Sequence, residues 1–279
     1  MSKNIKYYIP VIFCLLTFLH SEEPLTVGFW NAENLFDLED DPNKNDDEFS
    51  IGGRKNVDQD IYDLKIKHCS EVLFDLNVDV LGLCEVENFK VLNDLNKAYK
   101  ERDYSIIHYD SPDNRGIDNA LLYDKNRFSV VSSRAIVNKL KNGGNTRDIL
   151  YVKGEYQNRT LHLFVNHWPS NYGGREKAIP KRTSTAQLIV EEIKSLKKAD
   201  EFAEIILIGD FNEDPDEKNI QLLEDIGFSS LMKPMLGKEK VGTNVYRGKD
   251  YLYDQIIVNN QLQDSKDLSV LNKSIYILD

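Results

Sequence analysis

Short apolar runs of strand length recur along this chain, and several of them lead directly into polar residues. Residues 205–209, IILIG, are rich in β-branched side chains and suit a strand that is buried on both faces. Strand-like runs outnumber helical patterns, and several follow one another directly, which predicts an α+β fold rather than an alternating parallel sheet. The predicted strands are 25–30, 78–84, 104–109, 119–124, 129–133, 161–166, 205–209 and 254–259.

Two segments carry the periodicity of amphipathic helices. Residues 180–197 place apolar side chains at three- and four-residue spacings, and residues 60–76 do the same. In the second segment the predicted packing face consists of Ile61, Leu64, His68, Val72 and Leu76.

The composition is that of a globular protein with a sizeable core. Of 279 residues, 41% are hydrophobic and 29% are charged. No linker rich in proline, glycine or serine divides the chain, so we expect one domain over residues 22–279. The acidic stretch at 37–48 is expected to be a solvated loop, since it lacks the spaced ligands and central glycine of a calcium-binding loop.

The amino end has the layout of a secretory signal peptide. Lys3 and Lys6 precede an uncharged, largely apolar run from Tyr7 to Ser21, which is too short to span a bilayer comfortably. We therefore expect residues 1–21 to be a signal peptide, with export to the periplasm or the outside and no stable membrane insertion after cleavage. An uncleaved anchor and a lipoprotein through Cys14 are the alternatives.

The charge balance limits how this chain binds polyanions. The net charge is −11, and it becomes −13 once the two lysines of residues 1–21 are lost. A protein with this net negative charge does not hold nucleic acid by counterion release alone. A polyanionic substrate therefore requires a metal ion or a local basic patch. Arg175, Lys181 and Arg182 are candidates for that patch. Cys69 and Cys84 have apolar neighbours and are predicted to be buried thiols rather than a disulfide.

Five of the predicted strands have, at one end, side chains that can bind a metal ion or position a water molecule. A single polar residue at the end of a strand is common in turns, but five such strand ends together indicate a common site. These strand-end residues are Asn31, Glu85, His167, Asp210 with Asn212, and Asp254.

The chemistry of this set favours a divalent cation with oxygen ligands. Magnesium takes one or two carboxylates, keeps several waters and bridges to phosphate oxygens, so such a site suits cleavage of phosphate esters. A zinc site is disfavoured because no histidine and cysteine cluster has ligand spacing. A serine triad built on His167 and Ser170 is disfavoured because no Gly-x-Ser-x-Gly elbow is present.

Six segments follow one another along the chain, and five of them contain the strand-end residues. They are WNAENLF (30–36), LGLCEVEN (81–88), RGIDNALLYDKNRF (115–128), LFVNHWPSNYGGREK (163–177), IGDFNEDP (208–215) and YRGKDYLYDQIIV (246–258). In this order they resemble the successive motifs of the endonuclease/exonuclease/phosphatase superfamily, and in particular its exported bacterial members. The resemblance covers roughly residues 25–260. It implies a four-layer α/β sandwich of two packed mixed sheets with outer helices, and a phosphoesterase that depends on Mg²⁺ or Mn²⁺.

The resemblance also assigns roles to the strand-end residues. It makes Glu85 a metal ligand with Asn31 beside it, and it makes Asp210 and Asn212 the pair that orients the attacking water, the metal and the phosphoryl group. His167 is expected to act near the leaving group. Asp254 is expected to orient a second, C-terminal histidine.

A further motif suggests residues that line the substrate cleft. Arg115 is expected to contact phosphate, and Asp118 is expected to hold His167. Ser170 and Arg175 are the other candidates for substrate binding. Glu87 and Asn88 are predicted to begin a helix rather than to bind a ligand.

The sequence departs from the family pattern at its end. The family finishes with a strand ending in Ser-Asp-His, whereas no histidine follows His167 here. We expect the sequence to be C-terminally incomplete; the alternative is a site that has lost one imidazole.

The expected function is that of an exported, monomeric nuclease acting on nucleic acid or another phosphate ester. The alternatives are a phosphomonoesterase, an inositol-phosphate phosphatase or a sphingomyelinase of the same fold. A binding protein with impaired catalysis is a further alternative.

Overall fold

The computed structural model describes residues 11–17, 23–141, 143–264, 267–271 and 274–278, with the backbone alone for 11–17. Two β-sheets pack face to face, and helices cover their outer faces. The helices are α1 (Gln59–Leu76), α2 (Phe89–Ala98), α3 (Arg175–Ala199) and α4 (Lys218–Glu224).

The strands alternate with these helices only in part of the chain. They are β1 (Val11–Thr17), β2 (Leu25–Leu35), β3 (Val80–Val86), β4 (Ser105–His108), β5 (Asp118–Tyr123), β6 (Ser129–Ile136), β7 (Ile149–Tyr156), β8 (Arg159–His167), β9 (Glu204–Asp210), β10 (Phe228–Ser230), β11 (Asn244–Tyr246), β12 (Lys249–Tyr251), β13 (Asp254–Asn259), β14 (Ser269–Val270) and β15 (Tyr276–Leu278).

Both large sheets are mixed. The first has the order β14-β1-β2-β3-β5-β4, with β15 also paired to β1, and its β2–β3 pair is parallel. The second has the order β10-β13-β9-β8-β7-β6, and its β8–β9 pair is parallel. Strands β11 and β12 form a separate hairpin.

Alternation along the strands produces three apolar layers. In β2, Val27 and Phe29 enter the core between the two sheets, whereas Trp30 faces the layer beneath α1 and α2. In β9, Ile206 faces the central core and Ile205 faces the layer beneath α3 and α4. The predicted four-layer sandwich of two mixed sheets with outer helices is confirmed.

Helix α1 lies where the periodicity predicted a helix, but it packs with a different face. Ile61 and Leu64 were predicted to be buried, and they are 47% and 50% exposed. Of the predicted face, Leu76 is buried and Val72 is half-buried, and the other buried residues of the helix belong to a neighbouring stripe that is also largely apolar. The buried residues of α1 are Tyr62, Ile66, Cys69, Leu73 and Leu76.

Other local predictions agree with the structure. Asn88 caps the amino end of α2, with its side chain accepting a hydrogen bond of 3.0 Å from the Val91 N–H. Cys69 and Cys84 are both buried free thiols.

The acidic stretch after β2 is a loop, as predicted, but it is not fully solvated. Asp37 and Asp46 are buried, and Phe36 stacks on Phe49. The Lys44 ammonium donates hydrogen bonds of 2.9 and 3.0 Å to the carbonyl oxygens of Ser111 and Asp113. Because these contacts fix it to the β4–β5 connection, the loop is part of the folded domain.

The predicted signal peptide is only partly within the described residues. Its residues 1–10 and 18–21 lie outside them, and residues 11–17 form β1, which pairs with β2. Cleavage of residues 1–21 stays a prediction. None of the helices among the described residues is long and apolar enough to cross a membrane.

Gly154 of β7 tests how tightly the central core is packed. A Cβ atom at this position would lie 2.1 Å from the Phe128 ring, which is 1% exposed and cannot move aside easily. We expect Gly154→Ala to cost about 1–3 kcal/mol of folding free energy, measured by thermal or urea unfolding. In a Phe128→Leu background, Gly154→Ala should cost clearly less. An equal cost in both backgrounds would show that the ring contact is not the cause.

Candidate active site

The strand-end residues meet at one edge of the two packed sheets. Strand β9 lies between β8, which is parallel to it, and β13, which is antiparallel. The register places His167 opposite Asp210 on one side and Asp254 opposite Asp210 on the other. Three of the predicted site residues are therefore backbone neighbours on adjacent strands.

Glu85 reaches this edge because the backbone of β3 is irregular there. The pairing of β3 with β5 shifts register between Cys84 and Val86, and Glu85 has a φ of 59°. After this bulge Val86, and not Glu85, takes the face turned towards α1 and α2. A bulge of this kind redirects one side chain without disturbing its neighbours.

A second irregularity in β2 completes this side of the site. The pairing of β2 with β3 shifts register between Asn31 and Leu35. The Asn34 N–H donates a hydrogen bond of 3.0 Å to Glu85 Oε2, and the Glu33 N–H donates one of 2.9 Å to Asn31 Oδ1. The Asn31 amide in turn donates to Asp210 Oδ2 over 3.3 Å, which links the two sheets.

Asp210 and Asn212 are held by a small network of their own. The Asn212 N–H donates to Asp210 Oδ1 over 2.9 Å, and the Asn212 side-chain amide donates to the Trp168 carbonyl over 3.1 Å. Asn212 has a φ of 52°, a left-handed conformation that asparagine tolerates better than most residues. These bonds leave Asp210 Oδ2 turned towards Asn31 and His167.

The His167 ring lies close to the carboxylates of Glu85 and Asp210. Its Nε2 is 3.8 Å from both Glu85 Oε1 and Asp210 Oδ2, and its side chain is 2% exposed. Burial, together with the nearby guanidinium groups of Arg147 and Arg115, holds the pKa of His167 well below its usual range. The ring is therefore neutral at neutral pH.

Asp118 has a different partner from the one that the resemblance implied. Asp118 Oδ2 lies 3.1 Å from His108 Nε2, and Asp118 Oδ1 accepts a hydrogen bond of 2.8 Å from the Ser111 N–H. The Nδ1 atom of His167 has no hydrogen-bond partner among the described residues. Asp118 thus orders the β4–β5 connection rather than the imidazole of His167.

The buried carboxylates repel one another in the absence of a cation. Burial raises the pKa of Asp210 to about 6, and the nearby Glu85 contributes to that rise. Burial and the proximity of Asp210 hold the pKa of Asp254 well above its usual range. Hard oxygen ligands that are crowded in this way fit a divalent cation, which would relieve the repulsion.

Of the predicted substrate-binding residues, Arg115 is the one that the structure brings close to His167. Arg115 is close enough to affect the pKa of His167, and its side chain is 44% exposed, so it can meet a phosphate. Arg175 pairs with Glu217, and Ser170 Oγ accepts a hydrogen bond of 3.3 Å from the Tyr172 N–H.

Arg182 does not belong to a basic surface patch. Its side chain is fully buried and pairs with Glu213 over 2.8 Å. The prediction that Arg182 contributes to a basic patch with Arg175 and Lys181 is therefore wrong.

Asp254 has a contact that sequence reasoning did not foresee. Its N–H donates a hydrogen bond of 2.9 Å to Thr243 Oγ1, from the segment before β11. The predicted role of Asp254, to orient a C-terminal histidine, stays a prediction.

Sequence reasoning also missed Arg147 and His108. Arg147 donates a hydrogen bond of 2.7 Å to the Trp168 carbonyl, which also accepts from Asn212, and it pairs with Asp113 over 3.3 Å. It stands just before β7, a strand that the sequence analysis did not identify, so no strand end marked it. His108 ends β4 and forms, with Asp110 and Asp118, a cluster whose potential ligand atoms lie within 4.8 Å of one another.

The comparisons with known proteins agree with this geometry. A sequence model described as Endonuclease/Exonuclease/phosphatase family matches residues 26–279. No curated protein matches the chain significantly.

Solved structures share the fold at low sequence identity. Bacteroides thetaiotaomicron mannosyl-6-phosphatase Bt3783 is 18% identical, with a TM-score of 0.58 over 84% of this chain and 85% of that one. D. rerio TDP2 complexed with a single-strand DNA product is 16% identical, with a TM-score of 0.57 over 84% and 83%. The human Nocturnin catalytic domain is 17% identical, with a TM-score of 0.54 over 70% and 75%.

Asp210→Asn should separate activity from stability. The variant keeps the shape of the side chain and removes its charge, so we expect phosphoesterase activity to fall by at least about 10²-fold. The folded-state pKa of Asp210, about 6, exceeds its ordinary value of 3.8, so ionised Asp210 destabilises the metal-free fold above pH 6. The variant should therefore melt higher than the wild type in EDTA at pH 8, and this difference should vanish below about pH 4. A variant that melts several degrees lower at pH 8 would mark Asp210 as structural.

Proposed function

Because the chain belongs to the endonuclease/exonuclease/phosphatase family, whose members are divalent-metal-dependent hydrolases of phosphate esters, we propose that it is an exported, monomeric nuclease. The observation that carries the activity is the meeting of Asn31, Glu85, His167 and Asp210 at one edge of the two sheets. Carboxylates, an amide and an imidazole held on rigid strand ends are the groups that phosphodiester hydrolysis requires.

The residues that would hold the metal are Asn31 and Glu85, with Asp210 beside them. Glu85 Oε1 is free of the backbone bond that Oε2 makes to the Asn34 N–H, and Asn31 Oδ1 faces the same irregular end of β2. A divalent cation held by these residues would supply polarisation of a phosphoryl oxygen and compensation of the charge that develops on it.

The protein residues then position the reacting groups. Asp210 is a stronger proton acceptor than an exposed aspartate because burial raises its pKa to about 6, which suits it to hold the attacking water. Asn212 fixes the Asp210 carboxylate through its N–H. His167, with its Nε2 3.8 Å from the carboxylates of Glu85 and Asp210, lies beside them as a neutral imidazole rather than as a charged acid. Arg115, at the opening, supplies positive charge for a phosphate.

A nuclease is proposed first because one structure with this fold, D. rerio TDP2, is complexed with single-strand DNA. A small phosphomonoester is the second candidate, and the charge of the surface beside the site favours it. A cavity of about 390 Å³ is lined by Asp118, Glu87 and five other carboxylates, and among the described residues that line it Lys44 is the one cationic side chain. Such a surface repels a long polyanion more than it repels a compact monoester.

Export is proposed from the charge and length of residues 1–21. The protein recovered outside the expressing cell would then begin at or near Glu22. Mass spectrometry of the intact protein tests this, and recovery of the full 279-residue mass outside the cell would exclude cleavage.

A substrate panel with and without EDTA tests the activity. Plasmid DNA, single-stranded DNA, RNA, a phosphomonoester and sphingomyelin should be offered to the protein with Mg²⁺ or Mn²⁺. We expect EDTA-sensitive cleavage of nucleic acid. Cleavage of the monoester alone would support the second candidate, and turnover that persists in EDTA would contradict both.

Glu85→Gln is the matched variant for that panel. It removes the charge of the proposed ligand but keeps its size, so the Mg²⁺ concentration that gives half-maximal rate should rise at least about tenfold. Glu33→Gln, a like change at the neighbouring exposed carboxylate, should shift it much less. An unchanged Mg²⁺ requirement in Glu85→Gln would show that Glu85 is not a ligand.

A further inference from the structure

A two-stranded hairpin lies beside the candidate active site, next to the second sheet. Strands β11 and β12 form it, and residues 244–251 are called here the aromatic hairpin. It leads directly into β13, because Tyr251 precedes Asp254 by three residues and the chain between them spans at most about 11 Å. The Thr243 hydroxyl, just before the hairpin, accepts a hydrogen bond of 2.9 Å from the Asp254 N–H. The hairpin is therefore anchored at the strand end that carries Asp254.

Apolar and aromatic side chains of the hairpin are open to solvent. Tyr246 is 57% exposed and Val245 is 59% exposed, although a hairpin of two strands gains little stability by itself. The strand pairing puts Tyr246 opposite Lys249, so these two side chains lie on the same face as Tyr251. Val245 and Asp250 lie on the other face. One face of the hairpin thus combines two aromatic rings with a lysine.

The aromatic rings continue from the hairpin towards the catalytic edge. The centroids of the Tyr251 and Tyr253 rings are 4.8 Å apart. The Tyr253 hydroxyl accepts a hydrogen bond of 3.4 Å from the Asn171 side chain, in the loop that follows β8. The Tyr253 carbonyl accepts one of 2.8 Å from the N–H of Phe211, the residue after Asp210. The row of rings therefore extends from the exposed hairpin to the edge that carries the strand-end residues.

The hairpin also carries positive charge in an acidic protein. Residues 238–251 contain four lysine or arginine residues and two carboxylates, whereas the whole chain has a net charge of −11. The guanidinium carbon of Arg247, in the two-residue turn, lies 5.2 Å from the centroid of the Tyr246 ring. Lys249 Nζ lies 4.7 Å from the centroid of the Tyr251 ring. Cations for the phosphates beside rings for the bases are the combination that binds single-stranded nucleic acid.

We propose that the aromatic hairpin binds single-stranded nucleic acid, with bases stacked on Tyr246 and Tyr251 and phosphates held by Arg247 and Lys249. The inference rests on the proposed nuclease function and adds a preference for unpaired strands, whose bases are open for stacking. A strand bound in this way crosses the hairpin side of the site. It avoids the acidic cavity beside Asp118, whose carboxylates repel phosphates.

Binding of a fluorescent oligothymidylate, measured by anisotropy in EDTA, tests the proposal apart from catalysis. Tyr246→Ala in a Glu85→Gln background should weaken binding about tenfold, because a stacked base contributes strongly to affinity. Tyr246→Phe keeps the ring and should bind like the background. Phe202→Ala removes a ring that is 75% exposed at the opposite end of β9 from Asp210, and it should change the affinity little.

The salt dependence of the same binding tests the two cations. Arg247→Gln and Lys249→Gln should each lower the slope of log affinity against log salt concentration by about 0.7, the change expected for one phosphate contact on a single strand. Lys198→Gln, an exposed position at the carboxyl end of α3, should leave the slope unchanged. A slope that is the same in all three variants would contradict phosphate contacts at the hairpin.

Turnover of a long and a small substrate separates the hairpin from the metal site. Tyr246→Ala should raise KM for a single-stranded oligonucleotide about tenfold, with kcat little changed. Hydrolysis of bis(p-nitrophenyl) phosphate, which is too small to reach the hairpin from the site, should be unaltered. An equal loss on both substrates would overturn the proposal, because it would mark a general defect of the variant.

Three results would overturn the proposal in distinguishable ways. Cleavage of single-stranded DNA with an unchanged KM in Tyr246→Ala would remove the hairpin surface and leave the proposed nuclease standing. A wild-type protein that neither binds nor cleaves nucleic acid would contradict both. Binding of sphingomyelin vesicles in place of the oligonucleotide, lost in Tyr246→Ala, would assign the hairpin to a lipid surface.

Discussion

The candidate site depends on the position of β9 between a parallel and an antiparallel partner. The carboxyl end of β8 lies on one side of the carboxyl end of β9 and the amino end of β13 lies on the other, so His167, Asp210 and Asp254 fall in one row. The first sheet contributes Glu85 and Asn31 to the same site. The irregular ends of β3 and β2 direct these two side chains there, and a hydrogen bond of 3.3 Å from Asn31 to Asp210 joins the two sheets. Side chains on rigid strand ends need little reorganisation before they act.

This arrangement costs stability in the absence of a cation. The pKa values of Asp210 and Asp254 are both raised, first by burial and then by each other or by Glu85. Arg147 offsets part of this, since it lowers the pKa of Asp210, and it also anchors the Trp168 carbonyl that Asn212 uses. Charges that are unfavourable for folding and useful for function are typical of binding sites for metal ions.

Local patterns in the sequence predicted the α+β class and the strand-end residues, and the resemblance to the family added the four-layer sandwich. Apolar runs of strand length and the polar residue after each are visible without long-range information. The contacts that the strand-end residues make with other parts of the chain cannot be read from such local patterns. His108 ends β4 and Asp118 begins β5, and only the pairing of these two strands shows that the side chains meet. The buried face of α1 was mispredicted because two apolar stripes were available and only packing chooses between them.

The left-handed backbone at Glu85 and Asn212 restricts how this site can change in evolution or by design. With φ values of 59° and 52°, both positions accept glycine, asparagine or aspartate readily and resist β-branched residues for reasons unrelated to catalysis. Asparagine at position 85 would suit the left-handed backbone there while it removes the carboxylate, so an inactive relative can keep the local backbone conformation. Conversely, in a library of variants designed to change the metal preference, the left-handed backbone limits which residues these two positions accept, whatever the ability of those residues to bind a metal ion.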